Sequence, residues 1–241
     1  NQRPGDVYFA NRRNPQSVEY TEAYAENRRW YNETALFHAE NGVLYHGEEK
    51  LAEIGELKLN GNHNMDNLAG VFSILDYLGI DLYHAAEILK SFEPLPHRLQ
   101  KVAVKDGVTF INDSISTAPE AAIGAVGSFA GNLALISGGQ DNCQDYGPYA
   151  ETIENNLQVK MVVTLYQTGP KIAAVLRKGV KRTDFELAET DTLENAVKTA
   201  YAKLKKLGGG TILFSPTSPS FGFYKNFVER GNHFIKIVQD L

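Results

Sequence analysis

"VKMVVTLYQTGPKIAAVLRK", Val159 to Lys178, decides the fold. Its first eight residues are an apolar, valine-rich run without polar alternation, as in a strand covered on both faces. Gly169-Pro170 then opens a run whose apolar residues keep helical spacing. The same strand-then-helix order continues on either side. Upstream, "APEAAIGAVGSF" reads as helix, "NLALISGG" as strand and "YAETIENN" as helix. Downstream come "TDFELAE" as a short strand, a helix over 191–204 capped by Asp191 with Glu194, and "TILFS" as the last buried strand. Phe223 to Val238 reads as the final helix. "LQKVAV" and "GVTFIND" form a hairpin through Asp106-Gly107. This alternation predicts an α/β, Rossmann-like domain with a mostly parallel, doubly wound sheet.

Residues 1 to about 60 read differently. "DVYFA", "ALFHAENGVLYHG" and "GELKL" are strand-like, and Asn41-Gly42 is a hairpin signal. A helix follows "GNHN", with Leu68, Val71, Phe72, Leu75 and Leu78 on one face and Gly79 as its stop. A shorter helix spans Leu82 to Leu89. The prolines of "FEPLPHR" then break the pattern, which sets expected domains at 1–93 and 94–241.

The 241 residues leave ample length for a core, and 43% apolar and 22% charged residues are ordinary for a globular protein. A net charge of −5 argues against nucleic-acid or anionic-membrane partners. A single cysteine, Cys143, excludes an internal disulfide and fits a reducing cytoplasm. The polar start carries neither a signal peptide nor an initiator Met, so the chain reads as a piece of a longer protein.

In a doubly wound sheet, ligands sit beyond the carboxyl ends of the strands. That singles out "INDSIST", "SGGQDN" and "SPTSPSFGFYKNFVERG". Asp113 suits ribose hydroxyls. Ser114, Ser116 and Thr117 precede a helix start, where free amides favour an anion. Asn64 and Asn67, one helical turn apart, present amides that match an adenine edge. His97-Arg98 at the domain joint suits ribose or phosphate. The six histidines lack metal-ligand spacing. The chain has no Walker-type loop and no G-x-S-x-G elbow.

In this order and spacing, the motifs resemble the Mur ligase family. "GNHNMDN" is similar to its G-x-H-N-x-x-N, "LPHR" to its domain-joint motif and "INDS" to its strand-end motif. Ser215 to Gly231 resembles S-P-x-x-x-S-F-D-x-F-K-N-F-x-x-R-G of the branch that adds glutamate to UDP-N-acetylmuramoyl-L-alanine. The resemblance implies the tail of a central ATPase domain followed by the whole Rossmann-like ligase domain. It implies ATP and Mg2+ as cofactors, with the phosphate loop and most magnesium ligands outside this stretch, so the chain alone is expected to be inactive. It implies amide formation through an acyl phosphate. Residue by residue, Asn64 and Asn67 would face adenine, while His97, Arg98 and Asp113 would line the nucleotide side. Thr117, Ser220 and the backbone of Phe227 would hold the glutamate carboxylates.

Two departures bear on the acceptor. The D-glutamate enzymes read "NDSKATN", where this chain has "NDSISTA", so Ile115 replaces a lysine and Ala118 an asparagine. Asn142 stands where they carry a second lysine. Lys225 is the candidate replacement cation. A variant branch that adds L-glutamate is also similar, and the stereochemistry stays open at this level. The rival readings are a non-catalytic Rossmann-type binding module and a nicotinamide-dependent oxidoreductase. The latter lacks a G-x-G-x-x-G after its first strand.

Overall fold

The structure, a computed structural model, describes residues 3, 5–59 and 62–241, without the side chains of residues 23–25, 62 and 63. Gly61 and the His63 side chain of the "GNHN" motif therefore lie outside the described residues. The chain divides into two compact units, Asn1–Pro94 and Leu95–Leu241.

In the first unit, β1 (Tyr8–Asn11) pairs in parallel with β2 (Arg28–Tyr31), and α1 (Pro15–Thr21) lies between them in sequence. The sequence reading passed over α1, although its signal is present. The Asn14 side chain accepts from the Ser17 N–H at 2.9 Å, and Pro15 is the first helical residue. β3 (Phe37–Glu40), β4 (Val43–His46) and β5 (Glu49–Glu53) form an antiparallel meander. Asn41 and Gly42 turn it with φ of 50° and 78°, the doubly left-handed turn that matches strand twist. "GELKL" is not a strand. Ile54–Glu56 form a 3-10 turn, and the Ile54 N–H donates to Gly42 O at 2.8 Å, which ends the pairing at β5. α2 (Asn62–Tyr77) lays Met65, Leu68, Ala69 and Phe72 into a core with Phe37, Leu44 and Ala52, and α3 (Leu82–Ser91) adds Ala86.

The second unit is a three-layer α/β/α sandwich. In chain order it contains β6 (Gln100–Lys105), β7 (Val108–Asn112), α4 (Pro119–Val126), β8 (Leu133–Ser137), α5 (Gly147–Asn155) and β9 (Val159–Leu165). It continues with α6 (Gly169–Gly179), β10 (Glu186–Thr190), α7 (Leu193–Lys206), β11 (Gly210–Phe214) and α8 (Phe227–Gln239). The sheet order is β10-β9-β8-β11-β7-β6, parallel throughout except for the β6–β7 hairpin. One face carries Ala122, Ala125, Tyr149, Ile153, Ile172 and Leu176 of α4, α5 and α6. The other carries Leu193, Val197, Leu204, Phe234 and Val238 of α7 and α8. With both faces covered, β8 is buried along its whole length.

Two helix starts differ from the sequence reading. The cap of α7 is Thr192 rather than Asp191, because the Thr192 hydroxyl accepts from the Asn195 N–H at 3.2 Å. The last helix begins at Phe227 rather than Phe223, because Asn226 takes extended backbone and caps the Glu229 N–H at 2.9 Å. Among the described residues no helix is long and apolar enough to cross a membrane.

Candidate functional site

β7 and β8 diverge in their connections, and β11 returns to fill the gap between them. This is the switch point where a parallel sheet opens a crevice at its carboxyl ends. The loops there are tied to one another through their backbones. The Asp113 N–H donates to Phe214 O at 2.9 Å, Gly138 N–H to Pro216 O at 2.7 Å and Gln140 N–H to Pro219 O at 2.8 Å. Hydroxyls extend the ties. Ser218 Oγ lies 2.9 Å from both the Tyr146 hydroxyl and Thr168 Oγ1, and the Gly139 N–H donates to Thr168 Oγ1 at 2.9 Å. Gly138 and Gly139 permit this closeness. A Cβ on Gly138 would fall 1.9 Å from Leu165 O, and one on Gly139 would fall 2.3 Å from Pro219 O.

Arg230 holds the assembly from below. It is 0% exposed. Its Nη1 donates to Ser218 O at 2.9 Å, its Nη2 to Ser114 O at 2.8 Å and its Nε to Ser114 Oγ at 3.1 Å. It makes no ion pair among the described residues. Burial pulls its pKa down to about 10, so it remains a cation at neutral pH. An arginine held by two carbonyls and a hydroxyl, with no carboxylate partner, keeps its positive charge unpaired, which suits an acidic ligand. The sequence reading quoted this residue only as part of a motif. A usable signal was present, since Arg230 falls on the buried stripe of α8 between Phe227 and Phe234.

The expected site residues separate by what they already hold. Asp113 is 2% exposed and turned inward. Its carboxylate accepts from the Leu99 N–H at 3.1 Å, Ser116 Oγ at 2.5 Å and Ser215 Oγ at 3.0 Å. Burial raises its pKa, against the pull of these donors and of Arg98. It shapes the strand end, and its oxygens are largely taken. Ser114 is likewise occupied, donating to Phe227 O at 2.8 Å. Neither Ser114 nor Ser116 is a free anion donor. Thr117 is half-buried and Ser220 is 3% exposed, and neither hydroxyl has a hydrogen-bond partner among the described residues. Phe227 opens α8, where its N–H has no intrahelical partner. Arg98, Asn142 and Lys225 are exposed. Asn64 is half-buried and Asn67 exposed on α2, in the first unit. A cation does stand at the "GGQDN" turn: Lys171 of α6 pairs with Asp141, beside Asn142.

His97 is 5% exposed, with left-handed backbone at φ 65°. Asn112 Nδ2 donates to its Nδ1 at 2.9 Å, which requires a neutral ring. Gly231 makes room for it, since a Cβ there would lie 2.3 Å from Nδ1. Burial lowers the His97 pKa below 6.5. The unfolded chain then takes up the proton first, so stability present above pH 6.5 is lost as the pH falls below it. His97→Asn, which tolerates left-handed backbone, is expected to flatten that acid limb in thermal melts. An unchanged limb would assign it to another group.

Among the described residues no group of three or more Asp, Glu, His or Cys could hold a metal ion.

The chain shares its fold with a solved ligase. The MurF ligase from Thermotoga maritima in complex with ADP matches with a TM-score of 0.59 and 16% identity, over 98% of this chain and 54% of that one. No family model matches the chain. Curated sequence relatives carry glutamate ligase names. The UDP-N-acetylmuramoyl-L-alanine--L-glutamate ligase of Xanthomonas euvesicatoria is 37% identical over 211 residues, covering 87% of this chain and 45% of the relative. The UDP-N-acetylmuramoylalanine--D-glutamate ligase of Hahella chejuensis is 34% identical over 202 residues, covering 82% and 43%. The chain is thus homologous to the glutamate-adding Mur ligases, and it spans less than half the length of these relatives.

Proposed function

We propose that this chain works in an ATP-dependent ligase that joins glutamate to UDP-N-acetylmuramoyl-L-alanine in cell-wall precursor synthesis. Residues 1–93 are then the tail of its ATP-binding domain, with Asn64 and Asn67 toward adenine. Residues 94–241 bring the amino acid, with Arg98 toward the nucleotide and with His97 and Asp113 shaping the loops behind it. The substrate carboxylate is activated as an acyl phosphate, and the glutamate amine attacks its carbonyl carbon. A tetrahedral intermediate collapses to amide and phosphate. The task of this chain is to hold the amine in line and keep water out. Thr117, Ser220 and the Phe227 N–H bind the two carboxylates, with Lys225 and Asn142 at the rim. Magnesium would be held largely by residues other than these. Its role would be to offset phosphate charge. The exposed free Cys143 supports a cytoplasmic setting.

The observation that carries this reading is the two unengaged hydroxyls, Thr117 and Ser220, on the strand-end loops that a buried, carboxylate-free Arg230 ties down through Ser114 and Ser218. Ser220→Ala in the full-length protein is expected to raise the glutamate KM by roughly 10- to 100-fold, the loss of one charge-assisted hydrogen bond. Unchanged glutamate kinetics would remove Ser220 from the pocket. The 241-residue chain by itself is expected to hydrolyse no ATP.

For the acceptor we propose L-glutamate. The relative matched at 37% identity carries that name, and Ile115 and Asn142 stand where the D-glutamate pattern has lysines. Mirror-image acceptors presenting the amine at one point must exchange or rotate their carboxylates, so altered carboxylate partners accompany a switch. With UDP-N-acetylmuramoyl-L-alanine and ATP, L-glutamate should exceed D-glutamate in kcat/KM by roughly 100-fold, about 2.7 kcal/mol. Preference for the D isomer would overturn this.

A further inference from the structure

The carboxyl ends of β9 and β10 hold a cavity of about 360 Å³ that the proposed glutamate site does not use. Its size falls within the range of small-molecule sites, roughly 300–1,000 Å³. Tyr166 and Phe223 wall it, their rings stacked with centroids 4.2 Å apart. The Tyr166 ring is held in place. Its backbone is left-handed at φ 62°, and its hydroxyl begins a chain through Tyr224 at 2.7 Å, His233 at 2.8 Å and Glu194 at 2.8 Å. A wall fixed before a ligand arrives lowers the entropy lost on binding.

Two features say what it binds. The hydroxyl of Thr164, a fully buried residue lining the cavity, has no hydrogen-bond partner. Buried polar atoms are nearly always paired, so an orphan at a cavity wall points to a missing polar ligand atom. The charged residues of the lining are Glu189 and Asp191, with no lysine, arginine or histidine among them. Arg177 pairs with Glu189, while Asp191 has no ion pair among the described residues. The start of α6 also lines the cavity, and a helix start generally favours an anion. Here that preference is disarmed. Pro170 has no N–H, and the Gly169 N–H donates to Tyr166 O at 3.1 Å.

We infer that this cavity binds a small, flat organic cation, an ammonium or guanidinium. Its apolar body lies against Tyr166 and Phe223, its charge faces Asp191, and one N–H donates to Thr164 Oγ1. An acidic acceptor would be repelled by the same carboxylates, so this site stands or falls independently of the glutamate pocket.

The test titrates the 241-residue chain with benzylammonium, N-acetyl-arginine amide and benzoate, read by amide chemical shifts. At least one cation is expected to bind at millimolar concentration, with shifts at Thr164 and Asp191, and benzoate is expected not to bind. Whichever cation binds more tightly separates a free amine from a basic side chain as the source. Asp191→Asn and Phe223→Ala should each weaken binding about tenfold. Thr164→Val should weaken it too, yet raise the Tm of the free chain, because it removes an unpaired buried hydroxyl. The proposal is overturned if neither cation binds at about 10 mM, a modest demand for so few atoms. It is also overturned if benzoate binds comparably, or if cation binding is unchanged in both the Asp191 and Phe223 variants.

Discussion

Arg230→Met is expected to lower the Tm of the second unit by about 10 °C and to abolish glutamate-dependent turnover in the full-length protein. Methionine fills much of the volume but donates no hydrogen bond. Ser114 O, Ser114 Oγ and Ser218 O would each lose the arginine donor they have in the folded chain. A buried acceptor left unsatisfied costs about 1–3 kcal/mol. Some hydroxyl rotation and water entry would offset the sum, leaving roughly 3 kcal/mol, and about 2–4 °C per kcal/mol applies at this size. Arg230→Lys restores charge but not the three-way fork, and is expected to recover part of the stability and little of the activity. Calorimetry and steady-state assays on the same preparations decide it. A methionine variant as stable as the parent would mean that the loops are held by their backbone bonds alone.

The second large effect is expected at Gly138. Its φ is 140°, and a Cβ there would lie 1.9 Å from Leu165 O, 2.9 Å from the Leu165 carbonyl carbon and 3.1 Å from the Leu165 nitrogen. All three contacts are backbone atoms at the end of the neighbouring strand, so no rotamer change relieves them. Gly138→Ala must part β8 from β9 or break the Gly138 N–H bond to Pro216 O. Either outcome opens the switch point, at a cost of about 4 kcal/mol or more. Gly124 is the matched control. It lies within α4, and a Cβ there would meet nothing within 4 Å. Gly124→Ala is expected to stabilise by about 0.5–1 kcal/mol. Circular dichroism melts of both variants test the pair. Equal behaviour would show that the sheet end tolerates separation.

Both predictions concern residues that a motif comparison records without explaining. In the stretch from Ser215 to Gly231, the sequence suggested a carboxylate pocket, but most of its polar side chains are spent on the protein itself. Ser218 and Arg230 bind loops to loops. Gly231 makes room for the His97 ring. Thr117 and Ser220 remain for a ligand. Asp113 is the sharpest case, since Asn-Asp-Ser after a strand looks like an open hand toward ribose. In the fold, two serines and the Leu99 amide occupy that carboxylate.

The sequence by itself determined the elements of this protein and their hydrophobic faces. Val159–Leu165 and Leu133–Ser137 are mostly apolar without strict alternation, and such strands are stable only with helices on both sides. Asn41-Gly42 and Asp106-Gly107 fixed two hairpins, because few residue pairs accept successive left-handed conformations. Tertiary structure decided what lies between elements. It placed β11 between β7 and β8, buried Arg230 beneath the strand ends, turned Asp113 inward and left Thr164 Oγ1 without a partner. Local pattern reports whether a residue seeks water or the core. Which polar group meets which depends on neighbours more than 100 positions away, as with Arg230 and Ser114, and these are brought together only when the sheet closes.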